Sequence, residues 1–378
     1  MGLILIYPYK NTTYIYNPLS NYYFLMKKKY ILPLLLLLQI IIINILSFFP
    51  EFVERYYSNG LFPYLSKAER IFFGLFNFSI GDLIYGVVII LALRWFWKTR
   101  KTWRKNYKDN ILRMLGAFSV FYFLFHLLWA MNYHRVPLNE KMGIEKEYTP
   151  DELIAFTKRM IDRTNAIHRQ IEKNDSVKIV IPYTIDEIYN KSTDGYKEIE
   201  KQFPYFAFEH ESIKSSLIST PLSYMGFGGY LNPFTNEAQV NYNLPLYGYP
   251  ATTCHEMSHQ IGYASESEAN FIGYMASIHN KDLYFQYSGY TLALKYCLRN
   301  INKIDEKKAK SMAKLVLPGV LANFKESEAF NKKYESFVET IFEYFYDNYL
   351  KINKQKDGLE AYSKFVGLLV NYYKDKEL

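Results

Sequence analysis

The stretch from Thr252 to Phe271 reads TTCHEMSHQIGYASESEANF. Its histidines at 255 and 259 stand four positions apart, so on a helix both imidazoles leave the same face and can grip one cation. Glu256 is then turned to meet a water on that cation. Two nitrogens, a third protein ligand and an open position for water are the requirements of metal-assisted hydrolysis. Cys254 and Cys297 are the only cysteines, and no CxxC spacing exists, so any cation must use nitrogen and oxygen donors. A single Zn2+ ion is the default for two imidazoles and a carboxylate.

The elements that must position these groups are legible nearby. Pro250 can open the helix and Gly262 can end it, which gives a helix of about three turns with the histidine pair inside. A turn-rich zone precedes it, Ser219 to Pro250, whose best strand is EAQVNYNLP, Glu237 to Pro245. Alternation there puts Ala238, Val240 and Tyr242 on one face. Gly226 to Gly229, GFGG, lacks the strand and helix of a phosphate loop and reads as a flexible loop. A second helix begins near Glu266.

The HExxH segment with its following acidic helix is similar to the zincin metallopeptidases of the gluzincin kind. The longer block HExxHxxGYxSExEANF resembles bacterial three-span membrane proteins of unassigned function. The resemblance implies that Glu266 binds the metal and that Asn270, where many relatives have aspartate, orients a ligand histidine. Glu268 is the competing ligand, with a second job available as the N3 partner of Ser265 in a capping box. Gly262 occupies the place of the metzincin turn glycine, but no third histidine follows, so the metzincin class does not fit. The likeness also implies that Glu256 acts as general base on a zinc-activated water. It places the strand holding Ala238, Val240 and Tyr242 where substrate backbone would pair.

The chain has 378 residues, 49% hydrophobic and 18% aromatic, with 37 tyrosines, 28 phenylalanines and a net charge of +8. The basic excess sits beside apolar runs and reads as a membrane signature rather than a nucleic-acid footprint. Three apolar runs, about residues 31–49, 79–97 and 114–133, match the thickness of a hydrocarbon core; the first and third carry no acidic or basic charge, and the second has an uncharged centre, LIYGVVIILAL, between Asp82 and Arg94. Ser79 and Asp82 resemble a helix start. Trp129 and Tyr133 fall where an interfacial aromatic belt belongs. His126 within the third run is a neutral imidazole bonded to a neighbouring helix, or else a functional group. The stretch FPYLSKAERIFFGLFNF between the first two spans is expected along the interface.

Lys27 to Lys29 precede the first span, and six basic residues from Lys98 to Lys108 fill the link between the second and third. Both belong inside, which puts the N-terminus in the cytoplasm and everything after Tyr133 outside it, as a multi-pass protein of the cytoplasmic membrane. Residues 1–29 form a tail in which Met26 is an alternative start. Span one reads as an uncleaved anchor, because no small-residue cleavage site follows Phe49.

From His134 the chain reads as one helix-rich α+β domain of residues 134–378. A capping box at Thr149 and Glu152 starts a helix running to about Lys173. Val177 to Tyr183 is β-like, Ile185 to Gln202 helical, and four further helices are expected over 282–301, 307–324, 332–350 and 359–373. Cys254 and Met275 read as buried core residues. Tyr230, Tyr242, Tyr263, His210 and His279 are open candidates for stabilising an oxyanion. No GxSxG serine motif occurs.

The expected fold is thus three transmembrane helices followed by a zincin-like metallopeptidase domain. The expected partners are the lipid bilayer and a peptide or protein substrate. The alternative is a non-catalytic membrane receptor or scaffold, which two acids closing the fourth coordination position would favour. Cleavage within the membrane is set aside, because the motif follows the last span at a long sequence distance.

Overall fold

A computed structural model describes residues 18–353 and 362–378; of the tail expected at 1–29, residues 1–17 lie outside the described residues and the remainder forms the start of the first helix. Helix α1 spans Pro18–Leu46, α2 Phe62–Gly74, α3 Ile80–Thr99 and α4 Tyr107–Leu128. Of these, Lys28–Leu46, Ile80–Thr99 and Tyr107–Leu128 are long and apolar enough to cross a membrane. Then come α5 (Pro150–Ile171), α6 (Ile185–Ile199), α7 (Tyr249–Gln260), α8 (Glu266–His279), α9 (Leu283–Ile304) and α10 (Phe337–Ile352). Three short strands are β1 (Ile213–Ser215), β2 (Gly229–Leu231) and β3 (Ala238–Val240).

The chain divides into two compact units, one holding the described residues up to Phe48 with Val88–Leu127, the other holding Phe49–Val87 with Leu128–Leu378. In the first, the Gln39 amide donates to Ser119 Oγ at 3.4 Å and Lys29 pairs with Asp109 at 2.9 Å. The His126 ring bonds the Tyr122 carbonyl at 2.9 Å, one turn back on its own helix, and not a neighbouring helix as expected.

The second unit begins earlier than the expected boundary at His134. The third span stops at Leu128, and Ala130–His134 forms a short 3-10 turn that is buried throughout. Trp129 and Tyr133 are therefore core residues at 6% and 8% exposure, not members of an interfacial belt. Segment 49–87 packs into the same unit. Ser79 Oγ accepts from the Asp82 amide at 2.9 Å, the helix start that the sequence indicates. Glu237, fully buried on the chain just before β3, accepts from the Ile80 and Gly81 amides at 3.1 and 2.6 Å. A carboxylate at a helix N-terminus satisfies donors that have no partner in the helix and complements its dipole. On α2 and beyond it, Tyr64, Ile71, Phe72, Leu75 and Phe78 remain exposed.

Helix α8 sits at the centre, packed on α6, α7 and α9. Phe271, Ile272, Tyr274, Met275 and Ala276 are all fully buried, so apolar residues face every side of it. Cys254 is buried as expected, and burial pushes its thiol up to about 12. The capping box of Thr149 and Glu152 starts α5, and an equivalent box of Thr184 and Glu187 starts α6. Val177 to Tyr183, expected to be β-like, joins no sheet. The Asn323 side chain takes the place of a neighbouring strand, accepting from Ile179 N and donating to Ile179 O, both at 3.0 Å.

The sheet order is β1-β3-β2, with β3 parallel to β1 and antiparallel to β2. β3 is thus the central strand with both edges paired, and Ala238 and Val240 are fully buried in the core. They offer substrate neither an edge nor a surface, which corrects the expectation placed on them. Tyr242 lies past the strand and is exposed. The strand beside β3 that ends the sheet near α7 is β2, which begins at Gly229 where a flexible loop was expected.

Candidate metal centre

Pro250 lies in the first turn of α7, and Gly262 follows its last turn with φ +87, a backbone conformation that glycine adopts without strain. Both histidines fall within the helix and present Nε2 to one point, the two nitrogens 3.2 Å apart. The Glu266 carboxylate, in the first turn of α8, comes within 3.2 Å of His255 Nε2 and 3.9 Å of His259 Nε2. His255, Glu256 and His259 place their donor atoms within 4.8 Å of one another.

The remaining ring nitrogens explain this orientation. His255 Nδ1 is 3.1 Å from Asn270 Oδ1, and His259 Nδ1 is 2.6 Å from the Tyr263 carbonyl. Each Nδ1–H donates to an oxygen, which aims each Nε2 into the site, where it offers a cation its lone pair once it is unprotonated. Tetrahedral zinc with bonds of about 2.0–2.1 Å separates its ligand atoms by roughly 3.3 Å; the two Nε2 atoms and the His255–Glu266 pair lie close to that spacing at 3.2 Å, and the nearest Glu266 oxygen to His259 is wider at 3.9 Å. Glu256 Oε2 is buried with no hydrogen-bond partner among the described residues. A buried carboxylate oxygen without a partner is costly unless a cation or a water completes it. The donor set fits a zinc ion.

Glu268 points elsewhere. Its Oε1 accepts from the Leu138 amide at 2.7 Å, beside Arg135 and Lys141. The capping box expected between Ser265 and Glu268 is absent: Ser265 Oγ pairs with Ser267 Oγ at 3.0 Å, and Glu268 is drawn to Leu138 and the basic pair instead.

The charges in the site work against burial. Burial pushes Glu256 up to about 8. Burial also disfavours charge on Glu266, yet the hydrogen bond from His255 and the field of both histidines hold it at about 2. Burial lowers His255 as well, but the bond to Glu266, the fields of Glu256 and Glu266 and the bond to Asn270 together outweigh it, and the net direction is upward. His259, buried and facing its neighbour's charge, falls to about 4.

Groups that the sequence did not single out complete the site. The Tyr346 hydroxyl on α10 donates to Glu266 Oε1. None of the expected oxyanion candidates takes that place: Tyr230 donates to Asp82, the Tyr263 ring lies 4.2 Å beneath the Arg135 guanidinium, His279 bonds the Met275 carbonyl, and His210 and Tyr242 are exposed. The carbonyls at the end of α7 are also claimed from outside the helix. Trp129 Nε1 donates to His259 O at 3.3 Å, Arg70 to Gln260 O at 2.6 Å and Arg135 to Gly262 O at 2.9 Å. Cations at a helix C-terminus complement its dipole and occupy carbonyls that the helix leaves unpaired.

Three helices able to cross a membrane and a His-Glu-x-x-His cluster define a membrane protein with a candidate metal centre. The chain belongs to the family described as "Protein of unknown function (DUF3810)", which matches residues 57–370. No curated protein and no solved structure matches the chain.

Proposed function

We propose that this chain is a membrane-anchored zinc metallopeptidase of zincin type, with His255, His259 and Glu266 holding one Zn2+ ion and Glu256 as general base. The observation that carries the reading is the convergence of two Nε2 atoms and one carboxylate at 3.2–3.9 Å, beside a buried carboxylate oxygen with no partner. A zinc ion held there would supply an acidified water, with a pKa of about 7, and would polarise the scissile carbonyl. Glu256 takes the proton from the attacking water and returns it to the leaving amine. Asn270 and the Tyr263 carbonyl fix the two rings so that neither rotates away. An extended substrate pairs with β2, the edge strand that passes Glu256 at Gly229. The basic flanks of the spans support an N-terminus in the cytoplasm and a catalytic unit on the outer side of the cytoplasmic membrane.

A non-catalytic receptor or scaffold with a closed structural site finds less support, because Glu268 is turned toward Leu138 and does not fill a fourth position. The test uses the full chain purified in detergent. Stoichiometric zinc that disappears in His255→Ala, and peptide hydrolysis that disappears in Glu256→Gln while zinc stays, are the expected results. Undiminished hydrolysis in Glu256→Gln, or no bound metal in the unaltered chain, overturns the reading.

A further inference from the structure

Helix α10 carries an apolar stripe that the domain leaves outside. Phe337, Ile341, Tyr344, Phe345 and Ile352 recur at helical spacing and are between 45% and 78% exposed. The opposite face of the same helix is engaged. There Tyr346 donates to Glu266, Tyr349 receives the Tyr133 hydroxyl at 3.2 Å, and Leu350 is buried. The helix is therefore firmly seated along one side, while its bulkiest side chains point away from the core.

Its place in the chain identifies what those side chains meet. Tyr133 comes five positions after Leu128, where the Tyr107–Leu128 span ends. The inner face of α10 is thus joined, through Tyr133 and Tyr349, to the segment that follows the end of span three. An exposed row of phenylalanine, tyrosine and isoleucine beside such a segment has the composition of an interfacial helix, with aromatic rings at headgroup depth.

We propose that the outer face of α10 is a membrane-contact surface, with Phe337, Ile341, Tyr344, Phe345 and Ile352 seated in the bilayer interface and lipid as their occupant. The candidate metal centre then lies directly under an in-plane helix through Tyr346, even though its motif is far from the spans in sequence. This placement stands on the geometry of α10 and its neighbours and does not require a catalytic site.

The test places single nitroxide labels on the full chain in phosphatidylcholine–phosphatidylglycerol vesicles, at Ile341→Cys, Tyr344→Cys and Phe345→Cys, with exposed Lys332→Cys as control. Cys254 and Cys297 are buried and do not compete for label. At the three stripe positions, oxygen is expected to enhance spin relaxation more than a water-soluble nickel chelate does, with the order reversed at Lys332→Cys. Stronger relaxation by the nickel chelate at all positions overturns the proposal. So does dipolar broadening that fades on dilution with unlabelled chain, which would make a second copy the occupant. The measurement reads no hydrolysis, so its failure and that of the peptidase reading are separable.

Discussion

Asn270 is the smallest group on which the site depends. Its carbonyl oxygen accepts from His255 Nδ1, so truncating it frees the ring to rotate and removes the bond that selects the tautomer. Asn270→Ala is expected to weaken zinc binding roughly 10- to 100-fold, read by chelator competition. Asn270→Asp, which keeps the acceptor and adds charge, should hold zinc at least as well as the natural residue. Gly229 acts on the other half of the chemistry. A Cβ there would lie 2.6 Å from Glu256 Oε1 and 2.6 Å from the Gln239 carbonyl. The Glu256 side chain can swing away from the first clash, whereas the second is against backbone and is relieved only by a shift of β2 relative to β3. Gly229→Ala should therefore displace Glu256, the proposed general base, and lower the proposed hydrolysis about 100-fold or more while leaving zinc content unchanged. Loss of both zinc and activity together would instead mean that the strand's shift had carried the ligand helix α7 with it.

At the scale of elements, the loop that ends α7 is fixed by a buried ionic cluster. Arg135 forks onto Glu54 at 2.8 and 2.9 Å and reaches Gly262 O, and Lys141 adds a third bond to Glu54 at 2.7 Å. Burial raises the Glu54 carboxyl, but the hydrogen bonds and charges of Arg135 and Lys141 prevail and hold it at about 2, below its ordinary 4.5. A depressed carboxylate contributes stability that is complete above its unfolded value and is lost as pH falls toward its folded one. The Glu54 contribution is therefore expected to vanish between about pH 4.5 and about pH 2. Melting of the full chain in detergent should show this loss, and Glu54→Gln should melt lower at neutral pH with a flatter acid limb. Arg135→Ala removes the central partner and should cost about 3 kcal/mol. Neutral-pH melting of Glu54→Gln identical to that of the natural chain would remove the cluster from the account of stability.

The same elements show what the sequence could carry. The histidine pair, the bounds of α7 and the capping box of α5 were legible because each rests on neighbours within a turn or two of chain. Arg70, Trp129 and Tyr346 were not, since each reaches the site across 80 positions or more. Among 37 tyrosines, nothing local distinguishes Tyr346. Trp129 closes an apolar run, and hydropathy cannot separate a ring facing lipid from one lying against His259. The alternation in β3 was real, but whether a strand is central or at an edge depends on its partners, and β1 and β2 are only three residues each.

The molecule as a whole is expected to resist division at the boundary that its sequence advertises. A fragment beginning at His134 contains α7, α8 and every candidate ligand, yet it discards Arg70 and Trp129, which hold the carbonyls of Gln260 and His259. It also discards Glu54, leaving Arg135 buried without its carboxylate, and the Ile80 and Gly81 amides that satisfy fully buried Glu237. Each buried polar group left unpaired costs about 1–3 kcal/mol, and more when it is charged, against a total stability of about 5–15 kcal/mol for a typical domain. Several such losses fall together at the end of the helix bearing His255 and His259. Fragment 134–378 is therefore expected to lack a cooperative thermal transition and to bind no stoichiometric zinc, whereas the full chain in detergent does both. A soluble 134–378 fragment that melts sharply with full zinc content would show that segment 49–87 merely rests against a domain that folds without it.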